Sequence, residues 1–312
     1  MTSHLVARAA DAVWAPAGGP LAGATGYLGW SAVGPGSDAV HTGFGLGRME
    51  AGGRIPWHLH SYEESMYVLS GEVVVQTPDG ATILGPGDYG LIPLGVPHSL
   101  RNDGSGRAQW ARCSAPAPRA AHHGDTEAVR GFDDVPAARI DVRDPRNRRY
   151  GHVAPEHMDR DLQGQQNLAV SASMRTALLV YSGISLKMMV DTDLGAVLSS
   201  MFMVQYEPGG LASPHDHPFE ETYLITDGSV LATFDGVEYD LHPGDIAWAG
   251  VGCVHSFRNV TDTTVTWLET QSPQPPHRHA YRFQRDWDYL RDVLTAETST
   301  APATDPNGDS SS

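Results

Sequence analysis

The stretch His58-Leu59-His60-Ser61-Tyr62-Glu63-Glu64, with His98 following in Pro93-Leu94-Gly95-Val96-Pro97-His98, decides how this chain folds. Side chains on a strand alternate between faces, so His58 and His60 place both imidazoles on one face. Glu64 lies far enough along to cross a short bend and return to that face on the next strand. The Pro and Gly residues ahead of His98 mark a tight turn leading into another strand. Three imidazoles and a carboxylate converging in this way suit a divalent first-row metal ion. The same set recurs as His215, His217, Glu221 and His255, each 157 residues further on. Four metal-type residues repeated at one offset point to an internal duplication that kept its chemistry.

The offset holds without a gap around these residues. Gly209 matches Gly52, Gly228 matches Gly71, Gly244-Asp245 matches Gly87-Asp88, Asn259 matches Asn102, and Trp267 and Pro273 match Trp110 and Pro116. Equal strand and loop lengths follow, because a one-residue slip would turn every apolar side chain outward. Short apolar runs broken by Gly, Pro, Asp and Asn read as an all-β fold. Val73-Val74-Val75 and Ala81-Thr82-Ile83-Leu84, for example, flank the turn signal Thr77-Pro78-Asp79-Gly80. The chain thus divides into an irregular N-terminal arm (1–25), a first β domain (26–116), a connector (117–182), a second β domain (183–275) and a tail (276–312). The connector carries a short helix near Pro155 to Gln166 and is expected to pack across the domains, over a site. In the tail, Phe283, Trp287, Leu290 and Leu294 have helical spacing, and an amphipathic helix is expected there. The end of the tail has the composition of a disordered segment.

Both copies resemble the two sequence motifs of the cupin superfamily. The first reads Gly52, His58-x-His60, Glu64 and Gly71, then Gly87, Pro93-x-Gly95, His98 and Asn102; the second departs only at Gly250, where the proline would stand. The resemblance implies a bicupin: two tandem jelly-roll β-barrels, each with one metal in its mouth. The metal ligands would be His58, His60, Glu64 and His98 in one barrel, and His215, His217, Glu221 and His255 in the other. Iron, manganese or nickel suits this donor set best, and cobalt, zinc or copper is compatible with it. Two open coordination positions would remain for a substrate or dioxygen, unlike the closed shell of a structural zinc.

Candidate catalytic residues are Glu64 and Glu221, each able to serve as ligand and proton acceptor, with Arg48 and Tyr223. Arg48, matched by Gln205, lies on the strand entering the site and would orient an anionic or polar substrate, the alternative being a surface arginine. Tyr223 stands where the first copy has Met66, which suggests that the two pockets differ in task. Cys253 is expected to pack beside its site. His122, His123, His152, His157, His277 and His279 show no repeated spacing, and His152 or His157 would be a proton shuttle if the connector covers a pocket.

The first expectation for function is a metal-dependent dioxygenase acting on a small chelating molecule such as an enol, catechol or hydroxy acid. The second is a redox-neutral enzyme: isomerase, cyclase or a hydrolase of the ureidoglycine aminohydrolase kind. The third is a non-catalytic small-molecule-binding bicupin. Oxalate decarboxylases, also bicupins, resemble a pattern with an arginine three residues before the first histidine, where this chain has Ile55 and Ala212.

A formal net charge of −16 argues against a nucleic-acid partner. No apolar run approaches the about 20 residues of a membrane helix, and no secretory signal is apparent. Cys113 and Cys253 are the two cysteines, too few for a disulfide framework, so a reducing cytoplasm is the expected setting.

Overall fold

The computed structural model describes residues 3–142, 144, 149–159, 176–179, 182–274 and 295. The tail positions Phe283, Trp287, Leu290 and Leu294 lie outside the described residues, as does the connector beyond Asp159 up to Thr176. The described chain is all-β, with one four-residue helical turn and three short 3-10 turns. Among the described residues no helix is long and apolar enough to cross a membrane.

The first repeat is organised by one strand of 18 residues, Gly43–His60. Its beginning pairs with Thr25–Val33 and Ala108–Ala115; its end pairs with His98–Arg101 and Thr126–Ala128. A single strand therefore passes from one layer to the other and curls a twelve-stranded sheet around the interior. The turn signal at Thr77 to Gly80 forms the expected hairpin, Val73–Thr77 with Gly80–Leu84. In the second repeat the strand breaks at Pro208-Gly209-Gly210, and a seven-stranded sheet and a four-stranded sheet result. The two sheets enclose one core: Phe202, Val204 and Tyr223 from the larger meet Ala232, Phe234 and Phe257 from the smaller.

The glycine and asparagine of the repeat pair up to close these layers. Gly52 N–H donates to the Asn102 carbonyl at 2.9 Å, and the Asn102 amide donates to the Met49 carbonyl at 3.0 Å. Gly209 and Asn259 repeat the arrangement, with the Asn259 amide on the carbonyls of Tyr206 and Glu207. Gly52 and Gly209 have φ of +73° and +77°, a conformation that costs other residues about 1 kcal/mol.

The repeats pack through the outer faces of their sheets. Phe44, Leu46, Ala111 and Cys113 of the first meet Met201, Met203, Leu224 and Leu268 of the second. Two buried carboxylates bracket this seam. Glu220 of the second repeat accepts the backbone N–H groups of Val40, His41 and Thr42 at 2.8–3.1 Å. Glu63 of the first accepts those of Val197, Leu198 and Ser199 at 2.7–3.1 Å, plus the Ser199 hydroxyl. Every one of these residues has its counterpart 157 positions away, so the contact is self-complementary, as across a two-fold axis.

The N-terminal arm is not irregular throughout. His4–Ala7 forms a strand paired with Ile246–Ala249, on the edge of the second repeat's larger sheet. Four residues are too few to show a period in the sequence. The connector contributes Thr126–Ala128 to the first repeat, and residues Pro155–Met158 make one 3-10 turn where a longer helix was expected.

Candidate metal centres

The interior of each repeat gathers its three histidines. His58, His60 and His98 form one group of candidate ligands and His215, His217 and His255 the other; within each the ligand atoms lie within 4.8 Å of one another, and all six residues are buried. Register explains the convergence. His58 pairs directly with His98, and His215 with His255, so their side chains rise on the same face. The turn before the third histidine is tied to the second: Gly95 N–H donates to the His60 carbonyl at 2.9 Å and Gly252 N–H to the His217 carbonyl at 3.0 Å.

Each ring is held by its Nδ1. His58, His98, His215 and His255 donate from Nδ1 to the carbonyl two residues earlier, at Pro56, Val96, Ser213 and Cys253, over 2.7–3.0 Å. His217 donates to the Phe219 carbonyl at 2.7 Å, and His60 to the Thr126 hydroxyl at 3.0 Å. A carbonyl can only accept, so Nδ1 carries the proton and Nε2 presents its lone pair inward. Tyr62 stacks on His60 and Phe219 on His217, at matched positions.

The donors fit a metal ion. Burial pushes the pKa of His58 and His215 down to about 4, and that of His98 to about 3, so these rings stay neutral as ligands must be. His98 Nε2 is buried and bonds to no protein group. Such an atom is costly unless a ligand takes it. Each repeat thus has a buried triple-histidine site for one divalent transition-metal ion.

The carboxylates behave differently in the two sites. Glu64 Oε2 lies 3.7 Å from His60 Nε2; burial pushes its pKa up, with Arg112 opposing. Glu221 Oε2 lies 2.8 Å from His217 Nε2 and 3.3 Å from His255 Nε2. Tyr223 donates its hydroxyl to Glu221, and the Gln271 amide donates to Oε1 at 2.8 Å. Burial opposes its charge, but His217 outweighs it and holds the Glu221 carboxyl well below the usual range.

Arg48 is not at the site. Alternation turns it away from the interior that Met49 faces, and its guanidinium lies 4.2 Å from the ring centre of Trp14. Gln205 likewise faces outward, toward the Met158 carbonyl. His152 pairs with Asp88 at 2.8 Å, and His157 accepts the Ala154 N–H, so each has a structural partner. Cys253 supports His255 through its carbonyl, as described. A third grouping, His4, Asp235 and Cys253, pins the N-terminal strand: Asp235 accepts from Val254 N–H and from Ser3, and His4 Nε2 bonds the Tyr239 hydroxyl.

Thr126 was not anticipated, because nothing in a connector sequence tells which strand it will join. Thr126→Val removes the acceptor for His60 Nδ1. Metal affinity at the first site is expected to fall about 10–100-fold, with the second site unchanged, as read by competitive titration against a chelating dye.

The cupin domain family model matches residues 45–112 and 202–271, one match per repeat. The polyketide synthase CurC of Streptomyces cyaneus is 42% identical over 97 residues, 30% of this chain and 62% of that protein. The (R)-mandelonitrile lyase of Granulicella tundricola is 36% identical over 70 residues, 22% of this chain and 53% of the enzyme. The matched stretches thus span between about half and under two thirds of these relatives. Oxalate decarboxylase from Bacillus subtilis superposes with a TM-score of 0.60 at 15% identity, covering 96% of this chain and 84% of that one, a likeness of fold. With a family match on each repeat and a histidine triad inside each, the chain carries two tandem cupin domains, the bicupin arrangement.

Proposed function

We propose that this bicupin is a metal-dependent enzyme that acts on a small organic acid by redox-neutral chemistry. The observation that carries the proposal is the pair of pre-oriented histidine triads, each with a buried carboxylate beside it. In the first domain His58, His60 and His98, with Glu64, would hold the ion; in the second His215, His217 and His255, with Glu221, would do so. A bound divalent ion supplies Lewis acidity, drawing charge from a coordinated oxygen. Glu64 is the proton acceptor of the first site, since burial raises its affinity for a proton. In the second site Tyr223 and Gln271 hold Glu221 in place and occupy both its oxygens.

A lyase and a decarboxylase among the similar proteins favour redox-neutral bond cleavage over the dioxygenase expected from the sequence. Oxygenation is the second reading, favoured by the triple-imidazole donor set alone. Closure of each domain into a full jelly roll and a cytoplasmic setting are part of the same proposal. The test uses manganese-loaded protein with oxalate, malonate, glycolate and mandelate, followed by NMR with and without oxygen. Turnover of at least one acid at equal rates in air and under argon, abolished by a chelator, is the expected result. Turnover that stops under argon would establish the oxygenase instead. Absence of turnover for every acid by fully loaded protein would end the proposal.

A further inference from the structure

The two cupin domains differ most at a position outside the metal motifs. Arg112 in the first is matched by Glu269 in the second, on the strands Ala108–Ala115 and Val265–Ser272. Arg112 pairs with Met66 on one side and Gly45 on the other, and Ser114, two residues along, pairs with Glu64. Opposed residues of an antiparallel pair share a face, so Arg112 looks into the same interior as Glu64. Trp110, two residues before it, confirms that face by packing among Tyr27, Met49, Met66 and Val68. The guanidinium makes no hydrogen bond or ion pair with any described residue, although Glu64, Tyr62 and Tyr27 all lie within its electrostatic reach. It is only partly exposed.

The neighbours of the two positions also differ. Gly45 and Gly47 pair with Arg112 and Trp110 in the first domain, and Met66 lies opposite Arg112. In the second domain Phe202, Val204 and Tyr223 stand at the matched positions, and all three are buried in its core. Glu269 there accepts the Trp267 indole N–H at 2.9 Å, and it pairs with Phe202 on one side and Tyr223 on the other. One interior therefore offers a cation with no hydrogen-bond partner among the described residues, on the face that carries Glu64. The other has no cation at that position, and a phenol and a phenyl ring are packed beside the carboxyl group that replaces it.

We propose that Arg112 binds the carboxylate of the ligand, which makes the first cupin domain the acid-binding site and leaves the second domain's centre closed to anions. The planar guanidinium matches a carboxylate with two parallel hydrogen bonds. Glu64 offsets one of the two positive charges of the first site's ion, and Arg112 restores the attraction for an anion. This inference rests on the organic-acid reading above and adds the domain and the residue.

Calorimetric titration of manganese-loaded protein with glycolate and with its neutral isostere glycolamide tests it. Glycolate should bind the wild type and His215→Ala but not His58→Ala, and glycolamide should bind more weakly. In Arg112→Met glycolate affinity should fall about 10–100-fold and glycolamide affinity should stay the same, with both manganese ions retained. Arg112→Lys keeps the charge and should recover part of the loss, which separates binding from misfolding. Undiminished glycolate binding in Arg112→Met, or binding lost in His215→Ala and kept in His58→Ala, would overturn the inference and leave the organic-acid reading standing. Wild-type protein that carries both ions and binds glycolate no better than glycolamide would overturn both.

Discussion

Replacing His58 by alanine will remove one metal ion from the protein and leave the other, and replacing His215 will do the converse. Each ring is one of three imidazoles whose Nδ1 is already committed to a backbone carbonyl or, at His60, to the Thr126 hydroxyl, so no neighbouring ring can turn to replace the lost Nε2. Loss of a ligand weakens binding by more than the about 100-fold seen when a supporting hydrogen bond is removed. Elemental analysis after gel filtration should fall from about two ions per chain to about one in each variant, and to none in the double variant. The triads sit in separate interiors, the first inside the curled sheet and the second between two sheets, so the losses should be independent. If either single variant lost both ions, the two centres would be coupled in a way the interior packing does not provide.

The second large effect is on stability. Glu220→Ala leaves the N–H groups of Val40, His41 and Thr42 without their acceptor inside the seam, and Glu63→Ala does the same to Val197, Leu198 and Ser199. An unsatisfied buried donor costs about 1–3 kcal/mol, and water entering the vacated space recovers part of it, so a loss of about 3–5 kcal/mol is expected for each substitution. Urea denaturation should show a lower midpoint. The loss should be similar for the two variants, because the two clamps are copies of one contact. Glu63 and Glu220 adjoin Glu64 and Glu221 on their strands, so each seam carboxylate also fixes the strand that delivers the inward-facing one. A midpoint unchanged in both variants would mean that the clamps are replaced by solvent at no cost.

The histidines and glycines were legible in the sequence because their reasons are local. His-x-His needs only the alternation of a strand, and Gly52 needs only a left-handed turn. The seam was not legible, although Glu63 and Glu220 repeat at the same offset as the ligands. An outward-facing carboxylate does not disclose that its partners are amide groups some 135 to 180 residues away. Arg48 misled for the same reason that His58 and His60 informed: one step along a strand reverses the face, and Arg48 ended against Trp14. Arg112 and Glu269 stand at one offset of 157 with opposite charge, but neither belongs to a motif. Their meaning appeared only when pairing set Arg112 beside Gly45 and Glu269 beside Phe202. The His4–Ala7 strand was not legible because its pairing partner, Ile246–Ala249, lies far along the chain.

The central claim is that each domain closes three Nε2 atoms around one ion. An anomalous difference map from crystals grown with manganese tests it most directly. Two peaks are predicted, one bonded to His58, His60 and His98 and one bonded to His215, His217 and His255. A single peak, or density at His4, Asp235 and Cys253 with both triads empty, would contradict it.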